Sequence, residues 1–223
     1  MAHITRSFER PDSNLVSGIS RYLPATLHEA QGRTGALDSR IKPIYPGMRA
    51  CGPALTASCH AADNLMLIAA ISVAQPGDVL VVCAGDRPEQ GGFGEVLATA
   101  CMAKGIVGIV TDAGVRDGSA LRERGFSAFC YGLCMKGTVK ETLGFVNQAI
   151  IIGGVLIRPG DIVSADDDGV VVVPRERIAE VTRLSEEREA KEAKIMKALS
   201  EGGDVLGLTG MDKVLAAKGC TFG

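Results

Sequence analysis

Three side chains that could do chemistry lie within one segment of the chain, residues 83–117. Glu95 comes first, and Arg116 and Asp117 follow it after twenty intervening residues. Arginine offers a planar fork to a carboxylate and a fixed charge to a developing oxyanion, whereas aspartate offers a hard oxygen to a divalent cation. Two carboxylates beside an arginine predict a metal-assisted site for an oxoacid. A solvent-exposed Arg–Asp ion pair would present the same two residues, and that alternative stays open.

Glycines stand immediately before Glu95, in the stretch Gly91-Gly92-Phe93-Gly94. Glycines at the start of a helix let a small anion approach the unpaired N–H groups of the first turn. The stretch has neither of the two glycine patterns typical of nucleotide-binding loops. It therefore predicts a binding site for a carboxylate or phosphate. An ordinary turn without a ligand would have the same glycine pattern. A phosphate-binding or methyl-transfer enzyme that uses residues 91–94 is one alternative.

These residues need a scaffold, and the surrounding pattern predicts a βαβ unit. Residues 78–84 (DVLVVCA) form a short apolar run rich in β-branched residues, as in a strand covered on both faces. A helix over 94–104 and a strand over 106–112 complete the unit, whose strands should be parallel. A glycine-rich turn joins the first strand to the helix. A short helix over 118–124 leads to a further strand over 127–131.

The N-terminal part predicts helices followed by a strand. Residues 13–31 hold two short helical patterns, the second opened by Pro24, which form a lid or packing layer. The run 48–59 is β-like, and Pro53 within it suggests an edge strand or a bulge. Asp63 is placed to cap an apolar helix that ends before Pro76.

The C-terminal half changes character after Thr138. Short apolar runs broken by Gly-Gly, Pro-Gly and Asp-Asp-Gly predict a β-rich layer with tight hairpins, and the acidic stretch 166–169 reads as a turn rather than a calcium loop. Residues 175–201 predict a long helix whose apolar stripe covers only its first half. Its second half either lies in solvent or reaches a neighbouring subunit.

Composition limits the classes of function. The chain has 223 residues, 46% of them hydrophobic, and a formal net charge of −2, so no basic surface favours nucleic acid. Its first residues lack the apolar run of a signal peptide and no apolar run is long enough to span a bilayer, so we expect a cytoplasmic protein. The seven cysteines form no CxxC pair, and the three histidines have no metal-ligand spacing with one another or with a cysteine pair. No repeat or linker divides residues 1–223, which predicts one domain.

The spacing of Glu95, Arg116 and Asp117 resembles that of a known family. It reproduces the acidic-x20-Arg-Asp signature of the RraA-like class II pyruvate aldolases, which act on 4-hydroxy-4-methyl-2-oxoglutarate and 4-carboxy-4-hydroxy-2-oxoadipate. The stretches GEVLATACMAKGIVGIVTDAGVRD and PGDIVSADDDGVVVVP are similar to the family's segments, in the same order. The resemblance covers most of residues 48–199. It implies an α/β fold of α-β-β-α layers, of the swivelling β/β/α type, with a long C-terminal helix.

The resemblance also implies roles for individual residues. Asp117 would bind Mg²⁺ or Mn²⁺ directly, and Glu95 would bind the metal through water. Arg116 would bind the pyruvyl part of the substrate, with the amides of Val96 and Leu97 and the adjoining Gly94 receiving its carboxylate. The family's active sites lie between subunits of a homotrimer or a dimer of trimers. A glutamate from the neighbour's C-terminal helix, by spacing Glu192 or else Glu189, would take part in catalysis.

The expected activity is metal-dependent retro-aldol cleavage, which makes the chain a carbon–carbon lyase. Pyruvate and a second oxoacid would be the products, with oxaloacetate decarboxylation as a side activity and a place in aromatic-acid degradation suggested through the family. The family also contains non-catalytic regulators that bind a ribonuclease and lack the aspartate after the arginine. This chain has Asp117, which favours catalysis. Protein binding to a ribonuclease remains the alternative.

Overall fold

The computed structural model describes residues 3–221 and combines parallel strands with helices on two sides. The strands are β1 (His3–Ile4), β2 (Lys42–Pro43), β3 (Ala50–Ser58), β4 (Val79–Phe93), β5 (Gly108–Val115), β6 (Ser127–Cys130), β7 (Phe145–Val146), β8 (Ile150–Ile152), β9 (Val155–Ile157), β10 (Ile162–Asp166) and β11 (Gly169–Val173). The helices are α1 (Ser13–Ile19), α2 (Pro24–Ala30), α3 (Leu65–Val73), α4 (Glu95–Ala103), α5 (Gly118–Glu123), α6 (Ile178–Ser200), α7 (Val205–Thr209) and α8 (Met211–Ala217).

The centre of the fold is the parallel run β3-β4-β5-β6, within the sheet order β1-β7-β3-β4-β5-β6-β2. The β4-α4-β5 unit with parallel strands is as predicted. Both faces of β4 are buried: Leu80 and Val82 pack towards α3 and α4, and Val79 and Val81 pack towards β8–β11. This alternation explains why residues 78–84 show no polar face.

Four layers result. Helices α3, α4 and α5 cover one face of the central sheet, and strands β8–β11 cover the other. Helices α1 and α2 with the first half of α6 then close the outer side of β10 and β11 through a third apolar cluster. The expected α-β-β-α arrangement and the long C-terminal helix are confirmed, and the two N-terminal helices form a packing layer.

Three local expectations are corrected. Strand β4 does not end in a glycine-rich turn but continues to Phe93, with shifts of register against β5 after Val82. Pro53 lies in an internal strand, where β3 changes its partner from β10 to β4. The N-cap of α3 is Asn64, while Asp63 accepts a hydrogen bond from the N–H of Leu65.

The turn at residues 166–169 and the long C-terminal helix form as the sequence predicts. Residues 166–169 form the tight connection of the β10–β11 hairpin. Helix α6 buries Ile178, Val181 and Ser185, whereas the residues of its second half are half-buried or exposed. Within residues 3–221, none of the helices combines the length and the apolarity that crossing a bilayer requires.

Candidate active site

The site lies where β4 and β5 end and α4 begins, as the sequence predicts. The last residue of β4, Phe93, is buried and stacks on Phe126 with ring centroids 5.5 Å apart. Its carbonyl oxygen accepts a hydrogen bond from the N–H of Arg116 at 2.8 Å. Burying an aromatic ring of this size stabilises the fold by about 1.5–3 kcal/mol. The core therefore holds the backbone on both sides of the site.

Arg116 and Asp117 meet the first turn of α4. Oδ2 of Asp117 accepts a hydrogen bond from the N–H of Glu95 at 3.0 Å and lies 3.5 Å from Nε of Arg116. Asp117 has a φ of 57°, in the left-handed region that aspartate and asparagine tolerate better than most residues. Its side chain keeps 40% of its surface exposed, and that of Arg116 keeps 47%. The two charged groups are thus placed at a surface that a ligand can reach.

The backbone N–H of Glu95 contacts Asp117, but the carboxylate of Glu95 forms an ion pair with Arg124. Oε1 of Glu95 accepts hydrogen bonds from Nη2 of Arg124 at 2.6 Å and from Nε at 3.0 Å. The sequence does not identify Arg124 as a partner, because it follows α5 and nothing in its local pattern indicates which carboxylate it meets. The pair fixes the position of Glu95 beside the N-terminus of α4.

Two glycines are required here for space. A Cβ atom on Gly94 would collide with Oδ2 of Asp117 and would lie 2.9 Å from Cγ of Arg116. On Gly91 it would collide with the carbonyl oxygen of Cys134 and lie 3.1 Å from Cβ of Arg116. The extended φ of Gly94, −163°, is open to any residue, so close approach rather than backbone strain explains the glycine.

A cavity of about 230 Å³ opens beside these groups. Its wall includes Arg116 and the first-turn residues Val96 and Leu97, whose N–H groups are among those that find no acceptor inside a helix. The remaining wall is formed by Asn64, Ile68, Gly91, Gly92, Gly94, Gly137, Thr138 and Lys140. The predicted substrate-binding residues Gly94, Val96, Leu97 and Arg116 therefore border one space.

A long loop supplies the far wall, and the sequence does not indicate its role. Both oxygens of the buried Asp63 are used: one accepts from Leu65 N at 2.8 Å, and the other from Glu141 N at 2.8 Å and Thr142 N at 2.7 Å. Burial raises the pKa of Asp63, but these backbone donors outweigh it, so its pKa lies below the usual value. Ionised Asp63 thereby ties this loop to the start of α3.

Asn64 connects the same helix to the glycine segment. It is 8% exposed, and its Nδ2 donates to the carbonyl oxygen of Gly92 at 2.8 Å, which sets the orientation of the amide. Its Oδ1 is buried and has no hydrogen-bond partner among the residues that the structure describes. Asn64, which belongs to the cavity wall, thus carries a buried acceptor that none of residues 3–221 pairs.

The predicted C-terminal glutamates lie on α6, which packs on α1 and α2. Oε1 of Glu192 accepts from Arg188 at 2.7 Å, and Oε1 of Glu189 is 3.5 Å from Oγ1 of Thr26. Neither residue belongs to the wall of the 230 Å³ cavity. Within one chain, therefore, α6 is not part of the site around Asp117.

The family model described as RraA-like, Aldolase/RraA, matches residues 16–172. The chain belongs to the Aldolase/RraA family. The matched region contains every element around the cavity and the first three predicted site residues, Glu95, Arg116 and Asp117. The resemblance inferred from the spacing of these residues is confirmed.

Relatives within the family carry different names. A protein of Halalkalibacterium halodurans named "Putative 4-hydroxy-4-methyl-2-oxoglutarate aldolase" is 32% identical over 182 residues, covering 81% of this chain and 87% of its own length. Among solved structures, RraAS2 of Streptomyces coelicolor, described as an unusual member of the RNase ES inhibitor RraA family, is 34% identical with a TM-score of 0.75 and covers 84% of this chain and 98% of its own. An uncharacterized protein from Pseudomonas syringae is 25% identical, has a TM-score of 0.79, and covers 91% and 100% respectively.

Proposed function

We propose that this chain is a carbon–carbon lyase that cleaves 4-hydroxy-2-oxoacids to pyruvate and a second oxoacid with the help of a divalent metal. The observation that carries the proposal is the meeting of Asp117, Arg116 and the first turn of α4 beside one cavity. The name of the Halalkalibacterium relative supports 4-hydroxy-4-methyl-2-oxoglutarate as a substrate. 4-Carboxy-4-hydroxy-2-oxoadipate has the same reacting atoms.

The two carboxylates of Asp117 and Glu95 fit Mg²⁺ or Mn²⁺ better than a metal whose ligands all come from protein side chains. Over residues 3–221, no three His, Cys, Asp or Glu side chains converge in a way that would hold a metal. Mg²⁺ is commonly held by one or two carboxylates and keeps several waters or substrate oxygens. Asp117, which is 40% exposed, would be the direct ligand, and Glu95 would bind through water. When bound, the metal supplies Lewis acidity that polarises the 2-oxo group.

The chain's own groups bind the substrate and stabilise charge. The free N–H groups of Val96 and Leu97 receive the C1 carboxylate at the N-terminus of α4. A base takes the C4 hydroxyl proton, the C3–C4 bond breaks, and its electron pair moves into a pyruvate enolate. The guanidinium of Arg116 donates to the oxygen that gains negative charge. Arg124 holds Glu95 at the first turn, where Glu95 orients the water that protonates C3.

Oxaloacetate decarboxylation follows from the same chemistry. Loss of CO₂ from oxaloacetate leaves the same enolate of pyruvate, so the groups that stabilise one reaction stabilise the other. We therefore include it in the proposal as a side activity.

The assay for this proposal is pyruvate release from 4-hydroxy-4-methyl-2-oxoglutarate and from oxaloacetate, with millimolar Mg²⁺ and again with excess EDTA. We expect release from both substrates with metal, and near-complete loss of release with EDTA that returns when Mg²⁺ is added back. No release from either substrate would contradict the proposal.

A non-catalytic role in binding a ribonuclease is the second candidate, because RraAS2 shares 34% identity and the fold. Co-purification with a ribonuclease, without metal-dependent pyruvate release, would favour it. Asp117 has no evident use in such a role, since a protein-binding surface does not need a metal ligand.

We also propose that residues 1–223 form one domain that works in a trimer or a dimer of trimers, with α6 packed on a neighbouring subunit. The support is the second half of α6, whose residues are half-buried or exposed and where Met196 is 63% exposed. In this arrangement Glu192, or Glu189 one turn earlier, reaches the site of the next copy.

Replacing Glu192 with glutamine is expected to lower kcat on the order of 100-fold while the oligomer persists, because the carboxylate that the neighbouring subunit contributes to catalysis is lost. Light scattering would report the oligomer, and pyruvate release would report kcat. Glu187→Gln is the matched control, since Glu187 lies on the same helix and pairs with Arg183. An unchanged rate for Glu192→Gln together with a reduced rate for Glu189→Gln would transfer the role to Glu189.

A further inference from the structure

The turn that carries Asp117 needs support from the surrounding structure. Asp117 has a φ of 57° and a ψ of 38°, in the left-handed region, which is unfavourable for a residue with a Cβ. Its side chain does not stabilise the start of α5, because Oδ2 accepts a hydrogen bond from the N–H of Glu95 instead. Conformations of this kind persist only where neighbouring groups hold them. The contacts around the turn therefore decide whether Asp117 keeps its place beside Glu95.

Two side chains from other segments pack against the next residue, Gly118, which is buried. A Cβ atom on Gly118 would lie 2.8 Å from each terminal methyl carbon of Leu133 and 3.2 Å from the hydroxyl oxygen of Tyr45. Because glycine has no Cβ, both groups can lie against its backbone. Leu133 and Tyr45 thus restrict the movement of the residue that follows Asp117.

Leu133 belongs to the segment that pairs with the end of β5. The N–H of Val115 donates to the carbonyl oxygen of Gly132 at 3.0 Å, and the N–H of Cys134 donates to the carbonyl oxygen of Val115 at 2.8 Å. Strand β5 is also the strand that leads to Asp117. The contact from Leu133 therefore ties the turn to its own strand rather than to another part of the fold.

Tyr45 comes from the N-terminal part of the chain, and the backbone around it is anchored on both sides. The N–H of Ile44 donates to the carbonyl oxygen of Ala128 at 3.0 Å, and the N–H of Gly47 donates to Oδ1 of Asp167 at 2.8 Å. Tyr45 is itself half-buried, which limits the freedom of its ring. A side chain that is already restricted loses little entropy when it supports a neighbouring turn.

The ring of Tyr45 follows one face of α5. The guanidinium carbon of Arg122 lies 5.0 Å from the centroid of this ring, and Arg122 is four residues after Gly118, on the same face of the helix. A lysine ammonium can interact with an aromatic ring in the same way, so this contact requires a cation but not a guanidinium. The contact that supports the turn is the one between the Tyr45 hydroxyl and Gly118.

We propose that Tyr45 is a positioning residue for Asp117. By packing on Gly118, it holds the left-handed turn from which the carboxylate of Asp117 meets a divalent metal. This inference rests on the proposed function, in which Asp117 is the direct metal ligand. Tyr45 does not belong to the wall of the 230 Å³ cavity. It therefore acts through the backbone of Gly118 and not on the substrate.

Removal of the Tyr45 side chain should weaken metal binding without changing the chemical step. The apparent affinity falls in proportion to the fraction of chains that keep the competent turn. For Tyr45→Ala we expect the Kd of Mg²⁺, measured by calorimetry on the substrate-free chain, to rise about 10-fold, the lower end for loss of a partner behind a metal ligand. Saturating Mg²⁺ restores the competent turn, so kcat for pyruvate release should then lie within about twofold of the wild-type value.

Tyr22→Ala is the control, since Tyr22 is also half-buried but packs on the third apolar cluster, in the layer of α1, α2 and α6. We expect it to bind Mg²⁺ as the wild type does. Tyr45→Phe is a second variant, which keeps the ring and removes only the oxygen that contacts Gly118, and it should raise the Kd about threefold. Three outcomes would overturn the proposal: an unchanged Kd in both Tyr45 variants, an equal rise in Tyr22→Ala, or a loss of kcat that saturating Mg²⁺ does not restore.

Hydrogen exchange of the metal-free chain separates this inference from the proposed function. The N–H of Glu95 is protected by its hydrogen bond to Asp117, so in Tyr45→Ala it should exchange at least about 10-fold faster, while the amides of β3, β4 and β5 keep their rates. If the wild-type chain binds no Mg²⁺ but the exchange of Glu95 depends on Tyr45, the metal assignment fails and the support of the turn by Tyr45 stands. Equal exchange of Glu95 in both proteins would contradict the role of Tyr45.

Discussion

Replacing Asp117 with asparagine should lower kcat/KM for pyruvate release on the order of 1000-fold, the largest effect that we expect of any single substitution. Loss of metal-based stabilisation in the transition state amounts to several kcal/mol, and each 1.36 kcal/mol is tenfold in rate. Asparagine keeps the size of the side chain, tolerates the φ of 57° and can still accept from Glu95 N. It lacks the negative charge that a hard divalent cation requires.

The measurement is pyruvate release over a Mg²⁺ titration, with Mg²⁺ binding followed separately by calorimetry. Asp86→Asn is the matched control, because Asp86 is also an exposed aspartate with a positive φ, 55°, and pairs with Arg40 instead. We expect that control to keep its activity and both variants to keep their fold. Wild-type activity in Asp117→Asn would refute the role of Asp117 as metal ligand.

Replacing Arg116 with lysine should lower kcat on the order of 100-fold. Removing one donor to a developing oxyanion commonly costs a factor of this size, and the single ammonium of lysine cannot reproduce the planar fork of arginine. The backbone bond from Arg116 N to the carbonyl of Phe93 is retained in the variant, so the fold should be unaffected. Near-unchanged Mg²⁺ binding would separate this variant from Asp117→Asn.

Arg122→Lys is the control for this substitution, since Arg122 belongs to the adjacent α5 and lies over the ring of Tyr45, 5.0 Å from its centroid. Steady-state kinetics of both variants on 4-hydroxy-4-methyl-2-oxoglutarate would give kcat and KM. If Arg116→Lys raised KM and left kcat unchanged, Arg116 would bind the ground state and the transition state equally, and its assigned role would be wrong.

Local patterns sufficed for the elements that carry the site. Apolar runs bounded by glycines predict three of these elements from neighbouring residues alone. They are the buried strand over 78–84, the helix that starts at Glu95 and the strand that follows it. Because parallel strands present their carboxyl ends at one edge, the same patterns predict that Glu95 and Asp117 come together. The 3.0 Å hydrogen bond that Glu95 N donates to Oδ2 of Asp117 agrees with that prediction.

The course of β4 beyond residue 84 was not predictable in the same way. Its glycines suggest a turn, but pairing with β5 holds the segment as an irregular strand to Phe93. Buried Asp112 accepts hydrogen bonds from the N–H groups of Ala84 and Asp86, where the regular register ends. Burial raises the pKa of Asp112. This pairing depends on the neighbouring strand β5. The local residue preferences of the segment therefore do not predict it.

The sequence by itself determined the α/β class and the family resemblance, because these depend on periodicity and on the spacing of Glu95, Arg116 and Asp117 along the chain. The layered arrangement was what that resemblance implied. Only the tertiary structure decided that Arg124 holds Glu95 and that Lys140 borders the cavity. Both contacts join residues far apart in sequence. Their partners are chosen by the packing of whole elements, such as the loop that Asp63 ties to α3, rather than by any local preference.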